Sequence, residues 1–108
     1  MNAEKRKGKT PGGKGHVIRY QRNSKTISGR LQDELVVMDI DQGKYFNLNS
    51  VATRIWDLLE ESMAPDDLCR LLMDEYGIEP EQCKNEVGEY LVEMVRLGLI
   101  SEVEWPEI

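Results

Sequence analysis

The residues able to do chemistry in this chain are few, and their spacing decides what they can do. There is one histidine, His16, and there are two cysteines, Cys69 and Cys83. Three such side chains cannot fill a four-ligand zinc site, and no CxxC spacing brings the thiols together as a metal or redox pair. A cysteine nucleophile needs an adjacent base, and neither cysteine has a histidine neighbour in sequence. Both are read as free thiols, buried or half-buried. The carboxylate pairs Asp39/Asp41 and Asp66/Asp67 could serve acid–base chemistry. The first flanks a predicted hairpin, and the second opens a predicted helix, where acids favour the positive end of the dipole. Asp39-Ile40-Asp41-Gln42-Gly43 begins like a calcium loop but has no Glu at the twelfth position. Gly12-Gly13-Lys14-Gly15 lacks the strand before and the helix after that a phosphate loop requires. The sequence therefore reads as a non-enzyme, with no catalytic residues, no metal and no cofactor.

The elements that hold these residues are organised around Leu35–Leu59, LVVMDIDQGKYFNLNSVATRIWDLL. Thr26–Leu31 is a candidate first strand, weakened by Gly29. Leu35–Asp39 is β-branched and apolar, the best strand signal in the chain. Ile40–Gly43 reads as a hairpin loop with Gly43 free to take positive φ. Lys44–Leu48 is the return strand, with Tyr45 and Asn47 on one face and Lys44, Phe46 and Leu48 on the other. Val36, Met38, Phe46, Ile55 and Trp56 are expected to be architecture. Asn49 is a good N-cap. It opens a helix over Ser50–Glu61 with Val51, Ala52, Ile55, Trp56, Leu58 and Leu59 on its apolar face.

Pro65 opens a second helix, with Leu68, Leu71 and Leu72 inward and Gly77 closing it. Pro80 opens a third, which runs to about Leu97 and ends at Gly98. Val87, Leu91, Met94 and Val95 make its inner stripe, flanked by Cys83 and Tyr90. Val17–Arg22 alternates weakly and fits a short extra strand. Leu99–Val103 fits either a final strand or a packed tail. The predicted fold class is α+β, a three-stranded antiparallel sheet followed by three helices in a winged-helix-turn-helix-like layout.

With 108 residues the chain has room for one domain. No apolar run approaches the ~18 residues of a transmembrane helix, and the N-terminus has no apolar stretch resembling a signal peptide. A cytoplasmic monomer is expected. The net charge of −6 conceals an asymmetry. Residues 1–30 carry nine Lys/Arg against one acid, a net of +8. Residues 31–108 carry five against nineteen, a net of −14. Residues 1–25 are read as a basic flexible tail, with 1–15 Gly/Lys/Pro-rich and aperiodic.

An acidic body opposes phosphate backbones. The third helix is the one that would read a DNA groove. It carries Glu81, Glu86, Glu89 and Glu93 against Lys84 and Arg96, so no nucleic-acid partner is expected. A winged-helix DNA-binding or scaffold module is the alternative class. What remains is a sheet edge with a helix beside it, a surface that can pair with an extended peptide.

The pattern resembles the PqqD-like peptide chaperones, also called precursor-peptide recognition elements. The residues that carry the resemblance are Val36-Val37-Met38-Asp39, Gly43, Tyr45-Phe46, Leu48-Asn49, Ala52 and Ile55-Trp56. It continues through Leu68, Tyr76-Gly77, Val87, Tyr90-Leu91, Met94 and Gly98-Leu99-Ile100. It spans about residues 26–103, within a domain bounded at 26–104, and leaves residues 1–25 outside.

The resemblance implies a non-catalytic chaperone for the leader segment of a ribosomally made precursor peptide. The leader would add as a strand along Lys44, Tyr45, Phe46, Asn47 and Leu48. Val87, Tyr90, Leu91 and Met94 would shape its pockets, with groove and core not separable by spacing. The implied partners are a precursor leader and a modifying enzyme of the same pathway. That enzyme is a leader peptidase and cyclase in lasso-peptide pathways, or a radical-SAM enzyme in the pyrroloquinoline quinone pathway. The run Gln42–Asn49 is more similar to the lasso-type members. No membrane partner is implied.

Overall fold

The computed structural model describes residues 16–32 and 34–106. The order of elements is β1 (His16–Arg22), β2 (Thr26–Leu31), β3 (Glu34–Asp39), β4 (Lys44–Leu48), α1 (Ser50–Leu58), α2 (Pro65–Tyr76), α3 (Pro80–Arg96) and β5 (Ile100–Pro106). Strands β2, β3 and β4 form an antiparallel sheet in that order, and the three helices follow it. This is the expected winged-helix-turn-helix-like α+β fold. A second, two-stranded sheet pairs β1 with β5 from His16↔Pro106 to Arg22↔Ile100. His16–Arg22, read from sequence as part of a tail over residues 1–25, is a paired strand. The disorder expected for residues 1–15 lies outside the described residues.

The β3–β4 hairpin is built by one carboxylate. Asp39, only 8% exposed, accepts hydrogen bonds at Oδ1 from the amides of Asp41 (3.0 Å) and Gln42 (3.2 Å). Gly43 closes the turn at φ +67°, its amide 2.7 Å from the Asp39 carbonyl oxygen. A side chain at that φ would be strained, which is why glycine stands there. Asp39 is thus a turn organiser, and Asp41 pairs with Lys25 at 2.8 Å on the surface.

The hairpin register decides which residues of β3 face the core. Leu35 and Val37 face the core, at 3% and 0% exposure, opposite Leu48 and Phe46. Val36 and Met38, read from sequence as architecture, are not part of that core. They lie on the opposite face of the sheet, half-buried beside Ile27, Leu31 and Tyr45. A strand has period two, so a single step in parity exchanges every side chain between faces.

Asn49 caps α1, its Oδ1 accepting from the Ala52 amide at 2.9 Å. The helix buries Ala52, Ile55 and Trp56 and ends at Leu58, three residues short of the expected Glu61. At its C-terminus the Trp56 carbonyl accepts from Arg22 Nε (3.0 Å) and Nη2 (2.6 Å). The same guanidinium lies 4.7 Å from the Trp56 ring centroid, a cation–π contact that fixes β1 to α1. Tyr20 and Met63 exchange two backbone hydrogen bonds, of 2.8 and 3.0 Å, which dock β1 on the α1–α2 connection.

Pro65 and Pro80 each stand in the first helical turn. Gly77 ends α2 in the left-handed region at φ +65°. The core joins Leu35 and Val37 of the sheet to Ile55, Trp56, Leu59, Leu68, Leu72, Cys83, Val87, Leu91, Met94, Leu99 and Ile100. Leu71 and Val95, expected inside, are each 38% exposed.

Candidate functional site

Among the described residues β4 pairs only with β3, so one side of its main chain is open. In an antiparallel pair, alternate residues turn their N–H and C=O away from the partner strand. Lys44, Tyr45 and Asn47 are exposed, and Phe46 and Leu48 are half-buried against the core. Tyr45, 69% exposed, stands opposite Met38 on the outer face. Asn47, opposite Val36, donates from Nδ2 to Glu34 Oε1 at 2.9 Å. The Leu48 carbonyl accepts from the Thr53 hydroxyl at 3.2 Å, so the strand ends there and turns into α1.

Helix α3 lies across the end of this strand. Of its four residues named from sequence, Val87, Leu91 and Met94 are core side chains at 3%, 2% and 2% exposure. At that burial they present little surface to a ligand. Tyr90 is half-buried, and it lines an open concavity with Glu86, Glu89 and Glu93. Its phenol oxygen is 3.1 Å from Asn49 Nδ2, which ties the end of β4 to the middle of α3.

Beyond Tyr90 toward the start of α3 is an apolar cavity of about 120 Å³, lined by Val51, Leu72, Tyr76, Ile78, Cys83, Glu86 and Val87. Sequence reasoning picked out only Val87 of these as a site residue. The others come from three helices and a loop, and no spacing within one element brings them together.

The polar rim is acidic. Glu93 is held by Arg96, with Nε at 3.0 Å, and that hydrogen bond keeps its carboxyl below the usual carboxylate range. Glu86 accepts from Gln82 Nε2 at 3.0 Å. Burial, and then the neighbouring Cys83, push the Cys69 thiol up to about 11, and Cys83 is buried with Sγ 3.7 Å from the Cys69 carbonyl oxygen. Among the described residues no three His, Cys, Asp or Glu side chains converge to hold a metal ion, and no helix is long and apolar enough to cross a membrane. The arrangement offers an open strand edge, a tyrosine, an apolar cavity and an acidic rim, which are means of binding an extended chain.

Comparisons with known proteins bear on the fold and the family. No protein of curated function matches the chain. One solved structure, TbiB1 in complex with the TbiA(beta) leader peptide, is 26% identical with a TM-score of 0.70, over 75% of this chain and 94% of that one. A second, a lasso peptide synthetase B1 complexed with the leader peptide, is 19% identical with a TM-score of 0.62, over 76% of this chain and 96% of that one, and shows the shared fold. The family model for coenzyme PQQ synthesis protein D matches residues 34–100, more than half of the sequence and the whole run from β3 to the start of β5. The chain belongs to the PqqD family.

Proposed function

We propose that this protein is a non-catalytic peptide chaperone of lasso-peptide type. It binds the leader segment of a ribosomally made precursor peptide and presents the attached core to modifying enzymes. The leader adds as a strand along Lys44–Leu48, its main chain pairing with the open side of β4. Alternate leader side chains turn toward α3, where Tyr90 and the Val51/Ile78/Val87 cavity take them. Val87, Leu91 and Met94 act from beneath, holding α3 at the distance a strand requires. The enzymes served are a leader peptidase and a cyclase, with a radical-SAM enzyme the counterpart in the quinone pathway. The setting is the cytoplasm.

The observation that carries this reading is the unpaired β4 edge beside α3, in a chain whose fold matches a protein solved with a leader peptide at TM-score 0.70. The exposed face of α3 bears Glu81, Glu86, Glu89 and Glu93, which opposes the DNA-reading alternative. The test is a titration of the isotope-labelled protein with synthetic peptides encoded by short reading frames beside its gene. The expected result is a set of NMR shifts at Lys44–Leu48, Tyr90 and the cavity residues for one of those peptides. Shifts for none of them, or shifts confined to residues 1–15, would sink the reading.

A further inference from the structure

Asn49 does two things at once, and the pair of contacts fixes the direction of both. Its Oδ1 is 2.9 Å from the backbone N–H of Ala52, a group that can only donate. The oxygen of the amide must therefore face α1, and the NH₂ must face Tyr90, 3.1 Å away. Nδ2 donates, and the phenol oxygen accepts. A phenol has one proton of its own, and that proton is not used in the Asn49 contact. Among the described residues the Tyr90 hydroxyl makes no other hydrogen bond. Tyr90 lines the open concavity together with Glu86, Glu89 and Glu93.

The position matters because the β4 ladder runs out at this point. The Leu48 carbonyl is already taken by Thr53, and the Asn49 carbonyl accepts from the Thr53 amide at 2.8 Å as the first bond of α1. A peptide strand pairing with Lys44–Leu48 and continuing past Leu48 would meet no further β-strand main chain. Its next inward-facing carbonyl would have to find a donor outside the β4 ladder.

We propose that Tyr90 supplies that donor, giving its one free proton to a main-chain carbonyl of the bound leader where the β4 ladder ends. Asn49 is the positioning residue that holds the phenol oxygen and turns the proton outward. The acceptor is a neutral carbonyl, because three carboxylates line the same concavity and would repel a leader acid. This rests on the strand-addition reading and extends it. The chaperone grips the leader's backbone at two places, the edge of β4 and the face of α3, so part of its affinity is independent of leader side chains.

Two substitutions isolate the device. Tyr90→Phe keeps the ring and removes the proton. Asn49→Asp keeps an excellent helix cap. It also puts a carboxylate where the amide was, so that the hydroxyl turns its proton inward to that carboxylate and away from the peptide. Both are measured against wild type with the peptide selected in the titration above. The expected result is an affinity loss of about three- to tenfold for each, with no further loss in the double variant. Thermal midpoints identify any variant that weakens binding through the fold.

A second readout is specific to the hydroxyl. With Tyr labelled at Cζ, the deuterium isotope shift of Tyr90 should become resolvable in the complex, because a proton given to a buried acceptor exchanges slowly. Wild-type affinity for Tyr90→Phe, or a hydroxyl that stays in fast exchange in the wild-type complex, overturns the proposal while leaving strand addition standing. Failure of the wild-type protein to bind any of the peptides removes both.

Discussion

The central sheet has two open edges, and they are not equivalent. Strands β2 and β4 each pair only with β3 among the described residues. Both therefore offer unpaired N–H and C=O groups to a passing strand. The β2 edge has little behind it. Gly29 sits in its middle with no atom within 4 Å of where a Cβ would stand, and Ile27 and Leu31 are 55% and 68% exposed. Its tie to the helices is the surface ion pair of Arg30 with Asp57, at 2.7 Å. The β4 edge has Phe46 and Leu48 seated on the core, Tyr90 of α3 across its end, and an apolar cavity beyond. An edge becomes a binding site when a second element converts its hydrogen-bond groups into one side of a groove. Without that element it is a solvated border.

The largest expected effect follows from what supports the β4 side. Leu91 is 2% exposed beneath Tyr90's turn of α3. Leu91→Ala should destabilise the fold by about 2–5 kcal/mol in denaturant titration. Peptide affinity should fall with it even under conditions where the variant stays folded, because α3 loses its fixed distance from β4.

Next is a direct contrast between the edges. Proline placed in turn at Tyr45, Phe46 and Asn47 should weaken peptide binding more than tenfold at each position, through a lost bond either to the peptide or to β3. Proline placed in turn at Ile27, Ser28 and Gly29 should leave affinity within about twofold wherever the protein folds. Equal losses on the two strands would erase the distinction.

Smaller effects separate architecture from recognition. Arg22→Ala removes two hydrogen bonds to the end of α1 and the cation–π contact with Trp56. It should cost about 1–3 kcal/mol of stability and leave peptide affinity unchanged, since β1 is not the strand proposed to pair with the peptide. Asp57→Asn breaks the β2-side pair with Arg30 and should cost no more than about 1 kcal/mol.

The gentlest test is acid. The hydrogen bond from Arg54 lowers the Glu75 carboxyl below its ordinary value. The stability it lends is complete above the unfolded carboxylate range and fades as pH falls below it. Glu75→Gln should flatten that part of the stability–pH curve slightly.

Much of this was legible in the chain because local signals agreed with one another. Asn49 before Ser50, Pro65 and Pro80 at helix starts and Gly77 after Tyr76 each mark a helix end by backbone chemistry, and each stands where expected. Gly43 at positive φ closes the hairpin for the same reason.

Two things were harder to read. In Leu35-Val36-Val37-Met38 every residue is apolar, so period-two alternation is silent, and only the pairing of β3 with β4 shows that Leu35 and Val37 face inward. The β1–β5 sheet joins segments about 80 residues apart, and Val17–Arg22 carries no sign of its partner. The site divides the same way. The strand Lys44–Leu48 is a contiguous run. The burial of Val87, Leu91 and Met94, and the contact of Asn49 with Tyr90, depend on how α3 packs, which spacing along one helix does not reveal.

Amide hydrogen exchange, with and without the precursor leader, tests the difference between the edges most directly. Addition of peptide should slow exchange at alternate amides of Lys44–Leu48, with a period of two, and leave the amides of Thr26–Leu31 as they were. Protection that appears on β2, or on neither strand while the peptide is bound, would contradict the assignment of β4 as the leader's partner.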